Sequence, residues 1–473
     1  MRWAWIMAAL LVACGGTEPV PTVGDYAAGV GIRRVAIMQG VDNTLYRWNG
    51  PSPRDVPVIA RRDGLLRFYV SLAEDFEARD LVGTLTLVDN LGQTLETLIV
   101  EQRVQRASLT ADLDSTFNFK LTGDQIRQGT EFFFELRETD VTRPGGRAED
   151  TTFNSAVEGN GFNPRPTDTL TLVIIPLIYE ADGSNRVPDI SDEHVEEMRL
   201  AMYALYPASD VVIRVEEPRS WSEPVSSTSG QEWTNLLIAV SNLAAGAQEA
   251  PNTYYYGLFD PASSIGVYCQ RGCTLGLSTL ATTAEAFPRA SIGLGYRGIA
   301  ASTLVHEVGH AHGRPHAPCG GARGTDPDYP YDDAAIGVWG YSINNDELRE
   351  PSRVDMMSYC DPIWISDYNF ALLHDRIDEL RDFPRSVPVE VTRLFVDENG
   401  TTTVGTPVKV RGPHVNAQQV EVDVYDASGE WLRSVKGAYS PFSHFDGGSV
   451  LLDEVLKSGH TAQVRGVTGE GGP

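Results

Sequence analysis

The first 150 residues carry the two-residue hydrophobic period of β-strands. Leu66, Phe68 and Val70 recur at every second position, and residues 84–88 do the same ahead of an Asn-Leu-Gly turn. Short strands separated by turns are typical of a β-sandwich. We therefore predict an N-terminal β-sandwich-like domain at residues 30–150.

The pattern changes after a polar, Pro- and Gly-rich stretch. Residues 170–178 form a nearly continuous apolar run, which is typical of a strand buried on both faces. Ser191 can cap a helix whose apolar positions recur at helical spacing, and a second helix is predicted at 231–244. This alternation of strands and helices predicts a mixed α/β domain at residues 168–385.

The chain becomes β-like again after residue 385. Val420, Val422 and Val424 alternate with acidic residues, and Asn399-Gly400 is a hairpin signal. We predict a second β-sandwich-like domain at residues 386–473.

The N-terminus has the pattern of an export signal. A basic start precedes an apolar run at residues 3–12, which is too short to span a membrane and ends just before Cys14. It resembles a bacterial lipobox, which implies a signal peptide at 1–13, lipidation of Cys14 and a flexible tether at 14–29. An ordinary signal peptide with an incidental cysteine is the alternative.

Gly15 follows the cysteine. By resemblance to Gram-negative lipoproteins, a residue other than Asp at this position implies the outer membrane. The protein would lie on its periplasmic or surface face, or be released from it.

Composition limits the partners. The chain is 42% hydrophobic and 22% charged, as in soluble globular proteins, and its length suggests about three domains. With 38 basic and 64 acidic residues, the net charge is -26, which disfavours nucleic acid and anionic lipid as partners. We therefore expect membrane contact only through the N-terminal lipid, and the oligomeric state stays open.

Four cysteines remain if Cys14 carries lipid, which in an exported protein suggests two disulfides. Three pairings are possible. We favour Cys269–Cys273 as a local loop and Cys319–Cys360 as a longer link. A cysteine zinc site is disfavoured because the spacing fits no common zinc framework.

Residues 306–316 read H-E-V-G-H-A-H-G-R-P-H. His306 and His310 lie one helical turn apart, so both can bind one metal ion. Gly313 can end the helix in a left-handed conformation and return His316 to the same ion. A catalytic zinc needs three protein ligands and an open position, and Glu307 can act as general base on a zinc-bound water.

This segment resembles the metzincin clan of zinc proteases, whose motif is H-E-x-x-H-x-x-G-x-x-H. All five fixed positions match. The resemblance implies a fold that is multidomain α/β + β: a metzincin-like α/β catalytic domain at 168–385 flanked by the two β-sandwich-like domains. It also implies one catalytic Zn²⁺ as cofactor.

A second clan feature is a methionine turn beneath the metal. Asp355-Met356-Met357-Ser358-Tyr359 fits it, with Met357 as the turn methionine. In relatives with a tyrosine at this point its hydroxyl lies near the metal, so the resemblance assigns oxyanion stabilisation to Tyr359. Core packing is the simpler role for both methionines, and the two roles are compatible.

The sub-family is not assignable. The third histidine is followed by Ala317, which matches none of the expected family marks, and there is no cysteine-switch segment. An exported metzincin flanked by β domains is loosely similar to the mucin-cleaving zinc proteases.

Other candidate ligands are disfavoured. His312 points elsewhere on the helix, and His194 and His374 are isolated on predicted helices. A group of four aspartates could bind calcium, as some metzincins do, but its spacing lacks a recognised loop pattern, which favours a solvated loop. These residues are Asp326, Asp328, Asp332 and Asp333.

The leading hypothesis is hydrolysis of peptide bonds in extracellular proteins or glycoproteins. One alternative is a zinc hydrolase of cell-wall peptides. Another is a surface-anchored adhesion lipoprotein with an inactive or structural zinc site. Three histidines without a fourth protein ligand argue against a closed structural site, and Glu307 argues against an inactive one.

Overall fold

The computed structural model describes residues 23–48, 56–159, 161–247, 250, 252–270, 272–280, 289–382, 389–410 and 418–467. The predicted signal peptide, Cys14 and most of the predicted tether lie outside these residues. Within the described residues, no helix is both long enough and apolar enough to cross a membrane.

The N-terminal region consists of two antiparallel four-stranded sheets, with strand orders β2-β1-β3-β6 and β5-β4-β7-β8. Their inner faces meet in one apolar core, where the rings of Phe68 and Phe134 stack 3.8 Å apart. Gly24 and Ala27 bond to the backbone of β7, so the last residues of the predicted tether run along a sheet. The elements are β1 Val30–Met38, β2 Asp42–Arg47, β3 Gly64–Leu72, β4 Arg79–Val88, β5 Thr94–Val104, a 3₁₀ turn Leu113–Ser115, β6 Phe117–Leu121, β7 Glu131–Glu138, α1 Ala148–Thr151, β8 Thr152–Asn154 and α2 Ser155–Glu158.

The central region contains a six-stranded sheet with the order β10-β9-β12-β14-β13, in which β11 also pairs with β9. All its strands are parallel except β13, which pairs antiparallel with β14. Strand β9 is an apolar run because both of its faces are covered. The elements from the first strand of this sheet through the helix that follows its last strand are β9 Leu170–Tyr179, α3 Asp192–Leu205, β10 Val211–Val215, β11 Arg219–Trp221, α4 Gly230–Ala247, β12 Thr253–Phe259, α5 Ile265–Tyr268, β13 Gly276–Ser278, β14 Ala290–Leu294 and α6 Ala300–Ala311.

The segment that follows α6 is largely irregular. It contains two small two-stranded ribbons, β15-β16 and β17-β18, before the chain re-enters a helix. Ser366 caps that helix, because its hydroxyl accepts a hydrogen bond from the Asn369 amide at 3.0 Å. The elements are a 3₁₀ turn Asp332–Ala334, β15 Gly340–Ser342, β16 Glu347–Arg349, β17 Val354–Asp355, β18 Ile363–Trp364 and α7 Asp367–Asp382.

The C-terminal region is built from strands alone within the described residues. A six-stranded antiparallel sheet with the order β21-β20-β25-β24-β23-β26 lies beside the two-stranded sheet β19-β22. Along β23, Val420, Val422 and Val424 are buried in a core, whereas Glu421 is exposed and the buried Asp423 pairs with Arg465. The strands are β19 Val389–Val391, β20 Arg393–Val396, β21 Thr402–Val404, β22 Val408–Val410, β23 Gln418–Tyr425, β24 Trp431–Pro441, β25 Gly448–Leu452 and β26 Thr461–Val464.

The C-terminal region is not a separate appendage. Phe395 and Phe442 are buried in the same apolar cluster as Trp233 of α4 and Leu277 of β13. Ala245, near the end of α4, packs into a further cluster with C-terminal side chains. The C-terminal sheet is therefore docked against the central sheet through shared apolar contacts.

The predicted fold class, with a metzincin-like α/β catalytic domain, is wrong. Strands make up 38% of the chain and helices only 19%, so the molecule is multidomain and β-rich. The alternation of strand and helix that suggested an α/β domain is confined to the first part of residues 168–385. Between α6 and α7 the chain forms turns and short ribbons, which have neither a helical nor a strand period of useful length.

Candidate metal centre

Helix α6 holds the first two predicted ligands in a fixed place beneath the central sheet. Leu304 and Val305 are fully buried, and the Tyr206 hydroxyl donates a hydrogen bond to the Val305 carbonyl at 2.6 Å. His306 and His310 project from the helix one turn apart. The ring positions are therefore set by core packing rather than by a surface loop.

Gly313 ends α6 in the manner that its sequence position predicts. Its φ of 87° is left-handed, which a residue without a Cβ adopts easily. The Arg314 amide bonds to the Gly309 carbonyl and the Gly313 amide to the His310 carbonyl, which together form a Schellman motif. The chain then turns back and brings His316 beside the helix.

The three predicted metal ligands converge on one point. The Nε2 atom of His310 lies 3.1 Å from Nε2 of His306 and 3.2 Å from Nε2 of His316. For ligands about 2.0–2.1 Å from a tetrahedral zinc, nitrogen atoms would lie roughly 3.3 Å apart. The spacing therefore matches a zinc-sized cation.

The outer nitrogens of the same rings identify the tautomer. Nδ1 of His306 bonds to the Met356 carbonyl at 2.8 Å, and Nδ1 of His310 to the Arg314 carbonyl at 2.7 Å. Nδ1 of His316 bonds to the Arg323 carbonyl at 2.5 Å. A carbonyl can only accept, so each Nδ1 carries the proton.

Burial keeps these imidazoles neutral. It lowers the pKa of His306 and of His316 to about 4, and that of His310 well below its ordinary value. With the single proton on Nδ1, each Nε2 presents a bare lone pair to the same point. Three converging lone pairs repel one another unless a cation lies between them, so the donor set fits a divalent metal.

Glu307 lies beside this point and is 1% exposed. Burial raises the pKa of its carboxyl to about 8, while the neighbouring His306 and a hydrogen bond from Ser443 act in the opposite direction. Glycine is required at position 276 of β13, because a Cβ there would come within 2.5 Å of the Glu307 Cγ. The edge of the central sheet thus confines the carboxylate.

His444 is a fourth histidine at this site, and no motif or spacing in the sequence singles it out. It lies between β24 and β25, and its ligand atom falls with those of the three predicted ligands within a 4.8 Å group. Its Nε2 is 2.7 Å from Oε1 of Glu307, and its Nδ1 is 2.5 Å from the Tyr359 hydroxyl. A lone histidine in a β region has no spacing signal, so only the tertiary structure reveals it.

The predicted methionine turn lies directly under α6. Met357 is fully buried, and a Cβ at Gly309 would come within 2.4 Å of its sulfur. The buried Asp355 carboxylate shapes the turn by accepting hydrogen bonds from the Met357 and Ser366 amides. Met357 therefore supports the helix that carries the ligands.

Two disulfides are present in the structure. Cys319–Cys360 has a Cα separation of 5.8 Å and joins the segment after His316 to the segment after Met357. Cys269–Cys273 closes a local loop with a Cα separation of 4.9 Å. The longer disulfide ties together two segments that contact the centre.

Tyr359 lies at the mouth of the centre and is 46% exposed. Its ring centroid is 4.8 Å from that of His316. Burial of the hydroxyl raises its pKa, so it remains protonated, and it is hydrogen-bonded to Nδ1 of His444. An oxyanion role for this hydroxyl would require it to leave His444.

The remaining candidates do not join the group of four histidines among the described residues. His312 is buried, bonds through Nδ1 to the Val308 carbonyl and stacks 4.2 Å from the Tyr254 ring. His194 and His374 are both buried. Asp326 is engaged by Arg314 and by the Tyr368 hydroxyl.

The buried histidines and their adjacent carboxylate define the centre of a candidate metal-dependent hydrolase. Residues 279–361 match the family profile described as Peptidase M66. The matched segment contains the three predicted ligands, Glu307, Met357 and Tyr359, and it ends before His444. The match supports a metallopeptidase.

Similar solved structures are distant. Metalloproteinase-II from Bacteroides fragilis is 12% identical over 68% of this chain and 85% of its own, with a TM-score of 0.23. A calcium-binding mutant of Bacteroides uniformis beta-glucuronidase 2 is 12% identical over 51% of this chain, with a TM-score of 0.13. A putative beta-galactosidase from Bacteroides fragilis is 10% identical over 49% of this chain, with a TM-score of 0.14.

The chain spans only 25% of that glucuronidase chain and 38% of that galactosidase chain. Similarities with TM-scores this low say nothing about the activity of this chain. No curated protein sequence matches it.

Proposed function

We propose that this chain is a zinc-dependent endopeptidase with a metzincin-type ligand motif, in which His306, His310 and His316 hold the metal. The observation that carries the proposal is the convergence of three unprotonated Nε2 atoms beside one buried carboxylate. A three-histidine set leaves a position open for substrate or water, and the fourth histidine, His444, does not fill it because its Nε2 bonds to Glu307 instead. The match to a peptidase family over this segment agrees with it.

A bound zinc ion would polarise the scissile carbonyl and make a nearby water more acidic. Glu307 accepts the proton of the attacking water and returns it to the leaving amine, because its carboxyl is the acidic group that borders the three rings and a cation held between those rings would lower its raised pKa. The backbone carbonyls on Nδ1 of the histidines keep the rings oriented. We assign Tyr359 a secondary role in stabilising the oxyanion: its hydroxyl holds His444 until substrate binds and then turns from that ring to the substrate.

We propose extracellular proteins or glycoproteins as substrates. The proposal rests on the predicted export of the chain. Cleavage specificity follows from neither the ligands nor Glu307, and is best measured on a mixed panel.

The test pairs metal content with proteolysis for the wild type, Glu307→Ala and Glu101→Ala. Glu101 is an exposed glutamate on β5 and serves as the matched control. The panel includes casein and a mucin-type glycoprotein. We expect one zinc per chain in all three proteins, cleavage that a chelator abolishes, and loss of cleavage only in Glu307→Ala.

Two outcomes would contradict the proposal. Absence of zinc from the folded wild-type protein would remove the metal centre. Undiminished cleavage by Glu307→Ala would show that another group activates the water.

We also propose that the chain is exported and anchored at the outer membrane through a lipid on Cys14. The support is the apolar run that ends at this cysteine. Incorporation of labelled palmitate in a Gram-negative host, absent in Cys14→Ala, would agree with it, and equal labelling of both proteins would refute it.

A further inference from the structure

The loop between β24 and β25 is fixed against the central sheet by apolar side chains on both sides of His444. Phe442 is 5% exposed within the cluster that contains Trp233 and Leu277. Phe445 packs at the edge of the same cluster. Since these anchors are two and one residues from His444, the loop has little freedom to move its imidazole.

Backbone pairing fixes the same loop a second time. Phe442 forms an antiparallel bridge with Thr279, just beyond the edge strand β13. The Leu280 amide donates to the Pro441 carbonyl at 2.8 Å, and the Ser443 amide donates to the Ser278 carbonyl at 2.9 Å. The C-terminal sheet thereby extends the edge of the central sheet next to Glu307.

The imidazole of His444 is satisfied on both nitrogens. The Glu307 carboxylate can only accept, so the neutral ring carries its proton on Nε2 and donates it to Oε1, while Nδ1 accepts from the Tyr359 hydroxyl. The other carboxylate oxygen accepts a 3.3 Å hydrogen bond from the Ser443 hydroxyl. The side chain of His444 is 12% exposed, so water competes weakly for these bonds.

We propose that His444 is a positioning residue of the hydrolytic centre: its Nε2–H holds the Glu307 carboxylate in one orientation, and Tyr359 holds its ring. This inference rests on the proposed function, in which Glu307 is the general base. It makes the C-terminal β region a structural part of the centre. A segment that could detach from the centre would not share an apolar core with the central sheet, as the C-terminal region does.

The test uses the full-length zinc-loaded chain and three variants. His444→Ala removes the donor, His444→Gln keeps an N–H that can reach the carboxylate, and His460→Ala is a matched C-terminal control. Loss of an outer-sphere partner costs roughly 10- to 100-fold in activity. We expect kcat to fall about that far in His444→Ala with KM within about twofold, partial recovery in His444→Gln, and no change in His460→Ala.

A second readout does not depend on turnover. In the cobalt(II)-loaded proteins, acetohydroxamate can bind the metal and donate a hydrogen bond to the Glu307 carboxylate. We expect the cobalt absorption spectrum before addition to be unchanged in His444→Ala, and the Kd for acetohydroxamate to rise about tenfold. His444→Gln should lie between the wild type and His444→Ala.

Three other outcomes overturn the assignment. A rise in activity in His444→Ala would mean that the imidazole obstructs the centre. An altered cobalt spectrum with weakened metal binding would make His444 a ligand, and unchanged kcat and Kd would leave it without a role. If the wild type cleaves nothing but His444→Ala still weakens acetohydroxamate binding, the proposed function fails and the positioning role stands.

Discussion

At the scale of single residues, two histidines reach the centre by different routes. His316 stands six residues after His310, and the turn at Gly313 returns it to the helix. His444 reaches the same point, but it lies far away in the sequence within a strand-forming region. No local period marks it, because its position depends on the docking of Phe395 and Phe442 against the central sheet.

The position of Glu307 could be predicted from the sequence, whereas the residues that surround its carboxylate could not. Glu307 follows His306 directly, so a helix places it beside the metal point. The confinement by Gly276 comes from β13, an edge strand whose three residues are too short for a reliable sequence period. The chemical role of Glu307 could be predicted from the sequence, but the shape of the space around its carboxylate could not.

Asp260 shows how burial of one carboxyl makes stability depend on pH. Burial at the end of β12 raises its pKa from 3.8 to about 6 in the folded protein, and the Gly295 amide and Arg186 only partly oppose this. Below pH 3.8 Asp260 is protonated in both the folded and the unfolded state, so it does not change the free energy of unfolding. Between pH 3.8 and 6 Asp260 ionises in the unfolded chain but stays protonated in the folded protein, so the free energy of unfolding falls as pH rises. Above pH 6 this loss of stability is complete.

We therefore expect Asp260→Asn to gain stability relative to the wild type as pH rises from 4 to 7. Denaturant unfolding at a series of pH values measures the difference. Asp75→Asn, at an exposed aspartate, should follow the wild type throughout. A difference between Asp260→Asn and wild type that is constant with pH would show that the carboxyl does not titrate in this range.

At the scale of elements, the end of α6 determines whether three ligands can meet. The Schellman motif at Gly313 sends the chain back toward the helix, so His316 depends on a left-handed residue three positions earlier. This element was predictable because the motif spacing and the glycine agree. The segment between α6 and α7 was not, because turns and two-residue strands leave no period to read.

Gly313→Ala should weaken metal binding as well as stability. A Cβ in the left-handed region costs about 1–2 kcal/mol, and any relaxation of the turn moves His316 away from His306 and His310. We expect zinc affinity, measured by competition with a chromophoric chelator, to fall at least tenfold.

Gly92→Ala is the matched control for this substitution. Gly92 has a φ of 77° in a hairpin turn, with no atom near the position of an added Cβ. It should lose similar stability and keep its zinc affinity. Equal affinities in all three proteins would show that the turn does not position His316.

At the scale of the whole molecule, the proposed metal centre joins parts that are separate in sequence. The proposed ligands come from α6 and the segment after it, and the carbonyls that orient them come in part from Met356 and Arg323. The Cys319–Cys360 disulfide and the docked C-terminal sheet tie these parts together. The sequence suggested three separate regions. Because the C-terminal region docks against the central sheet and brings His444 to Glu307, both regions contribute residues to the centre.

Removal of the metal should therefore lower the stability of the molecule and not only its activity. An ion that binds the native state alone stabilises it by RT ln(1 + [metal]/Kd), about 4 kcal/mol at a thousandfold excess over Kd. The lone pairs of three Nε2 atoms repel one another when the ion is absent, which adds to the effect. We expect a chelator to lower Tm by several degrees and added zinc to restore it.

The matched comparison for metal removal is His310→Ala, which lacks the ligand whose Nε2 faces both others. Its Tm should lie near that of the chelated wild type and should not respond to zinc or chelator. If the wild type and this variant responded equally to the chelator, the stabilising ion would be bound elsewhere. A wild-type Tm that ignored both reagents would mean that the three histidines hold no metal, since tight binding to the native state must raise its stability.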